Sequence, residues 1–221
     1  MSGAARSGLV GLADPGRHPE DFYRTEAYAT HSLITGLKRE RVAFDGVVVD
    51  PACGDGAIMQ VFAERGHHMF GSDLVFRGVG VGGVDFLDSA WRQAVGLPVR
   101  PAWIVANPPY RGGLPLKMLL RALDEATVGV AFLVRHGWLP PAGVHDKPFP
   151  RWDMIEDVRL AYEIHVGRMS YLPPEKDKGQ TGFADFVWLV FLQNRKRRGV
   201  IRLHHTRLND PRCLRPERRV A

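Results

Sequence analysis

The run VVVDPACGDG, Val47 to Gly56, constrains the fold of this 221-residue chain more than any other stretch. Three β-branched residues in a row favour a short, fully buried strand. Asp50 and Pro51 end it, because proline cannot donate to a sheet. Gly54 and Gly56 then permit a tight turn into AIMQVFAERG, whose apolar spacing predicts a helix ending at Gly66. The pattern recurs. HMFGSDL, GVGVGGVDFLD, WIVANPPY and VGVAFLVRHGWL read as strands two to five, and LPLKMLLRALDEAT reads as an amphipathic helix before the fifth. AYATHSLITGLKRER predicts a helix ahead of the first strand. Strands alternating with helices imply an α/β fold: a parallel sheet covered on both faces. DVRLAYEIHV and FADFVWLVFL follow with no helical stretch between them, only the loop PPEKDKGQTG. They are expected to pair antiparallel at one edge, giving seven strands.

One domain spanning 1–221 is expected, with a flexible lead-in over 1–20 and a basic tail over 195–221. The hydrophobic share of 45% fits a globular chain. No apolar run reaches the ~18 residues of a membrane span, and the N-terminus lacks the layout of a secretory signal. Two cysteines, Cys53 and Cys213, are too few for a disulfide framework, so a reducing cytoplasm is expected. Cys53 reads as a small core residue. His204 and His205 lack the companions a metal site needs, and no metal is expected. The net charge of +6 is uneven: residues 193–221 carry +8, leaving about −2 for the rest. Two readings of that tail stand, an arm for nucleic-acid phosphates and a solvated terminus.

The candidate chemistry lies at strand ends, where open parallel sheets bind ligands. The Gly54–Gly56 turn brings backbone and a helix N-terminus close to a ligand. Asp73 lies 17 positions after Gly56, near the spacing at which an acid holds a ribose hydroxyl pair. Asp85 and Phe86 close strand three, an acceptor for an exocyclic amine beside a ring for an adenine face. Together these suggest an adenosine-bearing cofactor. ANPPY ends strand four. The side-chain oxygen of Asn107 and the carbonyl of Pro108 are two acceptors for a primary amine on a base. Drawing its hydrogens aside frees the nitrogen lone pair. Pro109 stiffens the backbone, and Tyr110 offers a ring for stacking.

DPACGDG and NPPY together resemble the S-adenosylmethionine-dependent amino methyltransferases, chiefly the DNA adenine-N6 enzymes, of a compact phage or prophage type. The resemblance implies a class I methyltransferase Rossmann fold. It places Asp50, Pro51, Ala52, Gly54 and Gly56 at S-adenosylmethionine, Asp73 on its ribose, and Asp85 and Phe86 at its adenine. Asn107, Pro108, Pro109 and Tyr110 become catalytic, with Asn107 also beside the cofactor. DFYRTEAYAT is similar to the family's segment ahead of the first motif and nominates Tyr23 and Thr25. Helix capping is the alternative for that segment. Asp55 stands where the family often has Thr, and no separate target-recognition domain fits. The implied reaction is methyl transfer to adenine N6 in DNA. RNA adenine and protein glutamine remain alternatives, as does a non-catalytic nucleic-acid binder. His136, Trp138, His145 and Trp152 are candidates for the substrate border, and Lys147, Arg151 and Arg168 for phosphate contacts.

Overall fold

A computed structural model describes residues 22–138, 160–170, 183–194 and 201–204. The elements run α1 (Ala27–Arg39), β1 (Val48–Asp50), α2 (Ala57–Glu64), β2 (Met69–Asp73), β3 (Val81–Gly82), α3 (Trp91–Val95), β4 (Trp103–Ala106), α4 (Leu114–Glu125) and β5 (Gly129–Arg135). A 3-10 turn (His136–Trp138), β6 (Leu160–Ser170), β7 (Phe183–Leu192) and β8 (Ile201–His204) follow.

The strands form one sheet in the order β3-β2-β1-β4-β5-β7-β6-β8. From β3 to β5 all neighbours are parallel. β7 runs antiparallel to both β5 and β6. The expected antiparallel pair is present, but the sheet has eight strands where seven were expected. Residues 201–204, read as part of the basic tail, pair in parallel with β6 along Tyr162–His165. The short run IRLH carries too little apolar signal to stand out from its basic neighbours. α3 also has no clear sequence signal: five residues give barely one turn of periodicity.

Alternation along each strand divides the core. Trp103, Val105, Ala131, Leu133 and Trp188 face Leu33 and Leu37 of α1 and Val61 and Phe62 of α2. Ile104, Ala106, Val130, Phe132 and Leu189 face Trp91 of α3 and Leu119 and Ala122 of α4. Helices therefore cover both faces, and burying each large side chain contributes about 1.5–3 kcal/mol. Trp188 also donates its indole N–H to the carbonyl of Ala29 at 2.8 Å, tying α1 to the sheet.

The topology places the site. The chain adds β2 and β3 on one side of β1, then returns to lay β4 and β5 on the other. The order reverses between β1 and β4, and a crevice opens beyond their carboxyl ends. DPACGDG leaves β1 and NPPY leaves β4 at this crevice.

Candidate active site

A cavity of about 340 Å³ occupies the crevice, within the range of small-molecule sites. Of the residues nominated from sequence, Tyr23, Thr25, Asp50, Pro51, Ala52, Gly54, Asp73, Asp85, Phe86, Asn107 and Pro109 line it. Gly56, Pro108 and Tyr110 do not.

Gly56 caps α2 in the left-handed region, with φ +82°. A Cβ there would lie 2.9 Å from Val79, so its role is in the turn's shape. Gly54 also has positive φ, and a Cβ on it would meet the Phe22 ring at 2.6 Å. Only glycine lets the backbone pass under that ring. The Gly54 N–H donates to Asp73 Oδ2 at 2.9 Å, joining the ends of β1 and β2.

Asp73 is more engaged than its nomination implied. Its Oδ1 accepts from the Val75 N–H at 2.9 Å and from Arg77 at 3.1 Å. Arg77 lines the cavity and lies 4.5 Å from the Phe22 ring centre. Each carboxylate oxygen has two acceptor positions, so Oδ1 is filled and Oδ2 keeps one for a ribose hydroxyl. No sequence signal singles out Arg77 or Phe22, which meet only because the turn after β2 folds back over the lead-in to α1. Phe86 is 3% exposed and packs edge-on against Trp91 at 4.8 Å. Asp85 is exposed and accepts from the Leu87 N–H at 2.9 Å; β3 ends at Gly82, so Asp85 and Phe86 follow the strand and do not close it.

Asp50 is the electrostatic anomaly. Its Oδ1 accepts from the Ala52 N–H at 3.0 Å, but Oδ2 is buried without a partner. Its pKa is raised to about 8, chiefly by burial, with the Ala52 hydrogen bond opposing the rise and the nearby Asp73 carboxylate adding to it. A buried orphan acceptor on a cavity wall fits a cationic ligand group, such as the ammonium of S-adenosylmethionine. Cys53 is buried, and its thiol is pushed up to about 12, chiefly by burial and by the Asp50 and Asp73 carboxylates. It lacks the thiolate a nucleophile requires.

Asn107 is held from both ends. Its amide nitrogen donates to the Tyr23 carbonyl and to Thr25 Oγ1, each at 3.1 Å. Its Oδ1 lies 2.8 Å from the Tyr110 hydroxyl, which is also 3.0 Å from the Leu133 carbonyl. The Tyr110 ring packs edge-on to Phe186 at 6.2 Å, with the Arg135 guanidinium 5.4 Å away. Stacking on a base requires this ring to be released from its hydroxyl contacts.

His136 is exposed, its ring 5.3 Å from that of His165. Arg168 is exposed on β6, and its carbonyl accepts from the Tyr28 hydroxyl. Trp138 belongs to the 3-10 turn and His204 to β8. His145, Lys147, Arg151, Trp152, His205 and Cys213 lie outside the described residues. Among the described residues no group of His, Cys, Asp and Glu suits a metal ion, and no helix is long and apolar enough to cross a membrane.

This architecture is the class I methyltransferase fold. The methyltransferase subunit of a type I restriction-modification system from Streptococcus thermophilus superposes with a TM-score of 0.56 at 15% identity, over 83% of this chain and 47% of that one. A Pyrococcus horikoshii protein assigned as an RNA methyltransferase gives 0.54 at 15% identity, over 86% and 95%. A modification subunit assigned to a type I restriction enzyme of Vibrio vulnificus gives 0.51 at 16%, over 90% and 49%. The chain thus spans about half the length of either type I subunit. No protein-family model matches it, and no curated protein matches it.

Proposed function

We propose that this protein transfers a methyl group from S-adenosylmethionine to the exocyclic N6 amine of adenine in DNA. The observation that carries the reading is the Asn107 amide, fixed at the end of β4 beside a cavity that contains a buried, unpartnered carboxylate oxygen. When bound, the cofactor supplies an electrophilic methyl group on a sulfonium. Asp50 receives the positive end of the methionine part, Asp73 the ribose hydroxyls, and Asp85 and Phe86 the adenine. Asn107 Oδ1 and the Pro108 carbonyl accept the two N–H groups of the target amine. The nitrogen lone pair is then free for attack, and solvent takes the displaced proton, since an amide cannot. Tyr110 stacks on the base. That base must leave its duplex to reach a strand-end crevice, at a cost of a few kcal/mol.

The charge of the sequence after β8 supports a nucleic-acid partner. β8 runs parallel to β6, and β6 runs in the sense of β5. The chain therefore reaches His204 on the carboxyl-end side of the sheet, four strands from β4. Arg207, Arg212, Arg215, Arg218 and Arg219 follow. The test is tritiated methyl transfer to unmethylated DNA, RNA and bulk protein, with analysis of the modified nucleoside or residue. N6-methyladenosine in RNA alone moves the substrate class. N5-methylglutamine moves it to protein. Cofactor binding with no transfer to any of the three leaves a binding protein.

A further inference from the structure

An amide activates an amine only if it presents its oxygen. Its two ends are nearly equal in shape, and half a turn about the last side-chain bond would present NH2 to NH2, two donors with nothing to accept. What selects the orientation of Asn107 is therefore a question the strand-end motif leaves open.

The lead-in to α1 supplies the selection. The group opposite the Tyr23 carbonyl must be a donor, because a backbone carbonyl only accepts. The second amide hydrogen points at Thr25 Oγ1. Two N–H groups meet two acceptors, and Oδ1 is turned toward the Tyr110 hydroxyl, whose single proton is shared between Oδ1 and the Leu133 carbonyl. Tyr23 and Thr25 are buried. Capping does not account for Thr25: Glu26 is the residue at the N-cap of α1, with no side-chain cap hydrogen bond. Thr25 also lines the cavity, so one side chain bounds the cofactor space and holds the amide.

We propose that the Tyr23 carbonyl and the Thr25 hydroxyl are positioning groups that hold Asn107 in the amide orientation offering Oδ1 to the substrate amine. This rests on the methyl-transfer reading and assigns Thr25 a task beyond cofactor contact.

The experiment compares Thr25→Val, which keeps the shape but removes the acceptor, with Thr25→Ser, which restores it, and with Thr25→Ala in case valine disturbs packing. Two quantities are read. One is kcat at saturating S-adenosylmethionine, with cofactor affinity measured separately. The other is the solvent exchange of the Asn107 side-chain amide protons in 15N-labelled protein, their signals identified by their loss in Asn107→Ala. In Thr25→Val, kcat should fall about tenfold and one amide proton should exchange about tenfold faster, with cofactor affinity within about twofold of wild type, as expected for one lost hydrogen bond. Thr25→Ser should recover both. Weakened cofactor affinity with unchanged kcat and unchanged exchange would make Thr25 a cofactor contact and overturn the proposal. So would valine or alanine variants that match wild type in both readouts. The amide exchange needs no turnover. If wild type methylates no adenine yet the exchange follows Thr25 as stated, the methyl-transfer reading fails while the hold on Asn107 stands.

Discussion

In the proposed reaction Asn107 and Asp50 act through opposite properties, one through orientation and the other through charge. On that reading, Asn107→Ala removes an acceptor for the target amine. By analogy with deletion of a single preorganised hydrogen-bonding group, kcat should fall by at least roughly 10²–10³-fold while cofactor affinity changes little. Single-turnover methylation with separate calorimetry of cofactor binding checks both halves. Tyr110→Phe keeps the ring and vacates Asn107 Oδ1, so turnover should survive. Tyr110→Ala should weaken base capture by about 1–3 kcal/mol. Asp50 sets a pH dependence. The folded protein holds its proton to about pH 8, whereas the ordinary value is 3.8. Between these limits the native state binds more protons than the unfolded chain, so stability falls as pH rises through that window. Asp50→Asn should flatten the decline, read from melting temperatures at pH 5 and pH 8 without cofactor. A decline of the same slope in the variant would assign it to other groups. A cation placed against Asp50 favours its charged form, so cofactor affinity in wild type should rise over the same window.

At the scale of elements, the turns after β1 and β2 are one unit. Asp73 joins them through Gly54 and orders its own loop through Val75 and Arg77. Asp73→Ala should therefore do more than remove the proposed ribose acceptor, worth about 1.5–3 kcal/mol. It should also loosen residues 73–77, seen as faster amide exchange there even without cofactor. Asp73→Asn keeps one acceptor oxygen and should lose less. Equal amide exchange in Asp73→Ala and wild type would limit Asp73 to the ligand. Gly54→Ala is the harsher change, since its φ of +54° and the Phe22 ring both oppose a Cβ.

For the whole molecule, the basic C-terminal segment divides at β8. Arg202 is a strand residue whose guanidinium lies 2.7 Å from Glu163, a carboxylate on β6 that is largely buried. Deleting 195–221 would remove that strand and expose Glu163, so a loss of stability would confuse any binding result. Deleting 206–221 spares β8. If the segment neutralises phosphates, that truncation should flatten the slope of log affinity against log salt on one duplex. The change should be about 0.9 for each phosphate left without its arginine, with cofactor binding and melting temperature unchanged. Equal slopes would mean that these arginines are merely solvated, and would turn the search toward Arg168 and the segment carrying Lys147 and Arg151.

Local stretches were readable because their chemistry is local. VVVDPACGDG specifies strand, stop and turn within ten residues, and ANPPY ends a strand by removing donors. That determined the succession of the parallel strands along the chain, the strand ends at which the motifs stand, and the nominations of Asp50, Gly54, Asp73 and Asn107. Phe86 was read as an adenine platform; it lines the cavity, and the structure adds that its ring packs edge-on against Trp91. What needed the tertiary structure joins distant residues. Tyr23 and Asn107 are 84 positions apart, so the orientation of the amide is written in neither segment alone. The raised pKa of Asp50 comes from burial in the assembled sheet. Arg202 looked like one more cation until β6 gave its strand an edge to pair with. Sequence by itself determined which groups stand at the strand ends. Only packing decided which way they point and what charge they hold, because orientation and desolvation depend on neighbours that the chain brings together by folding.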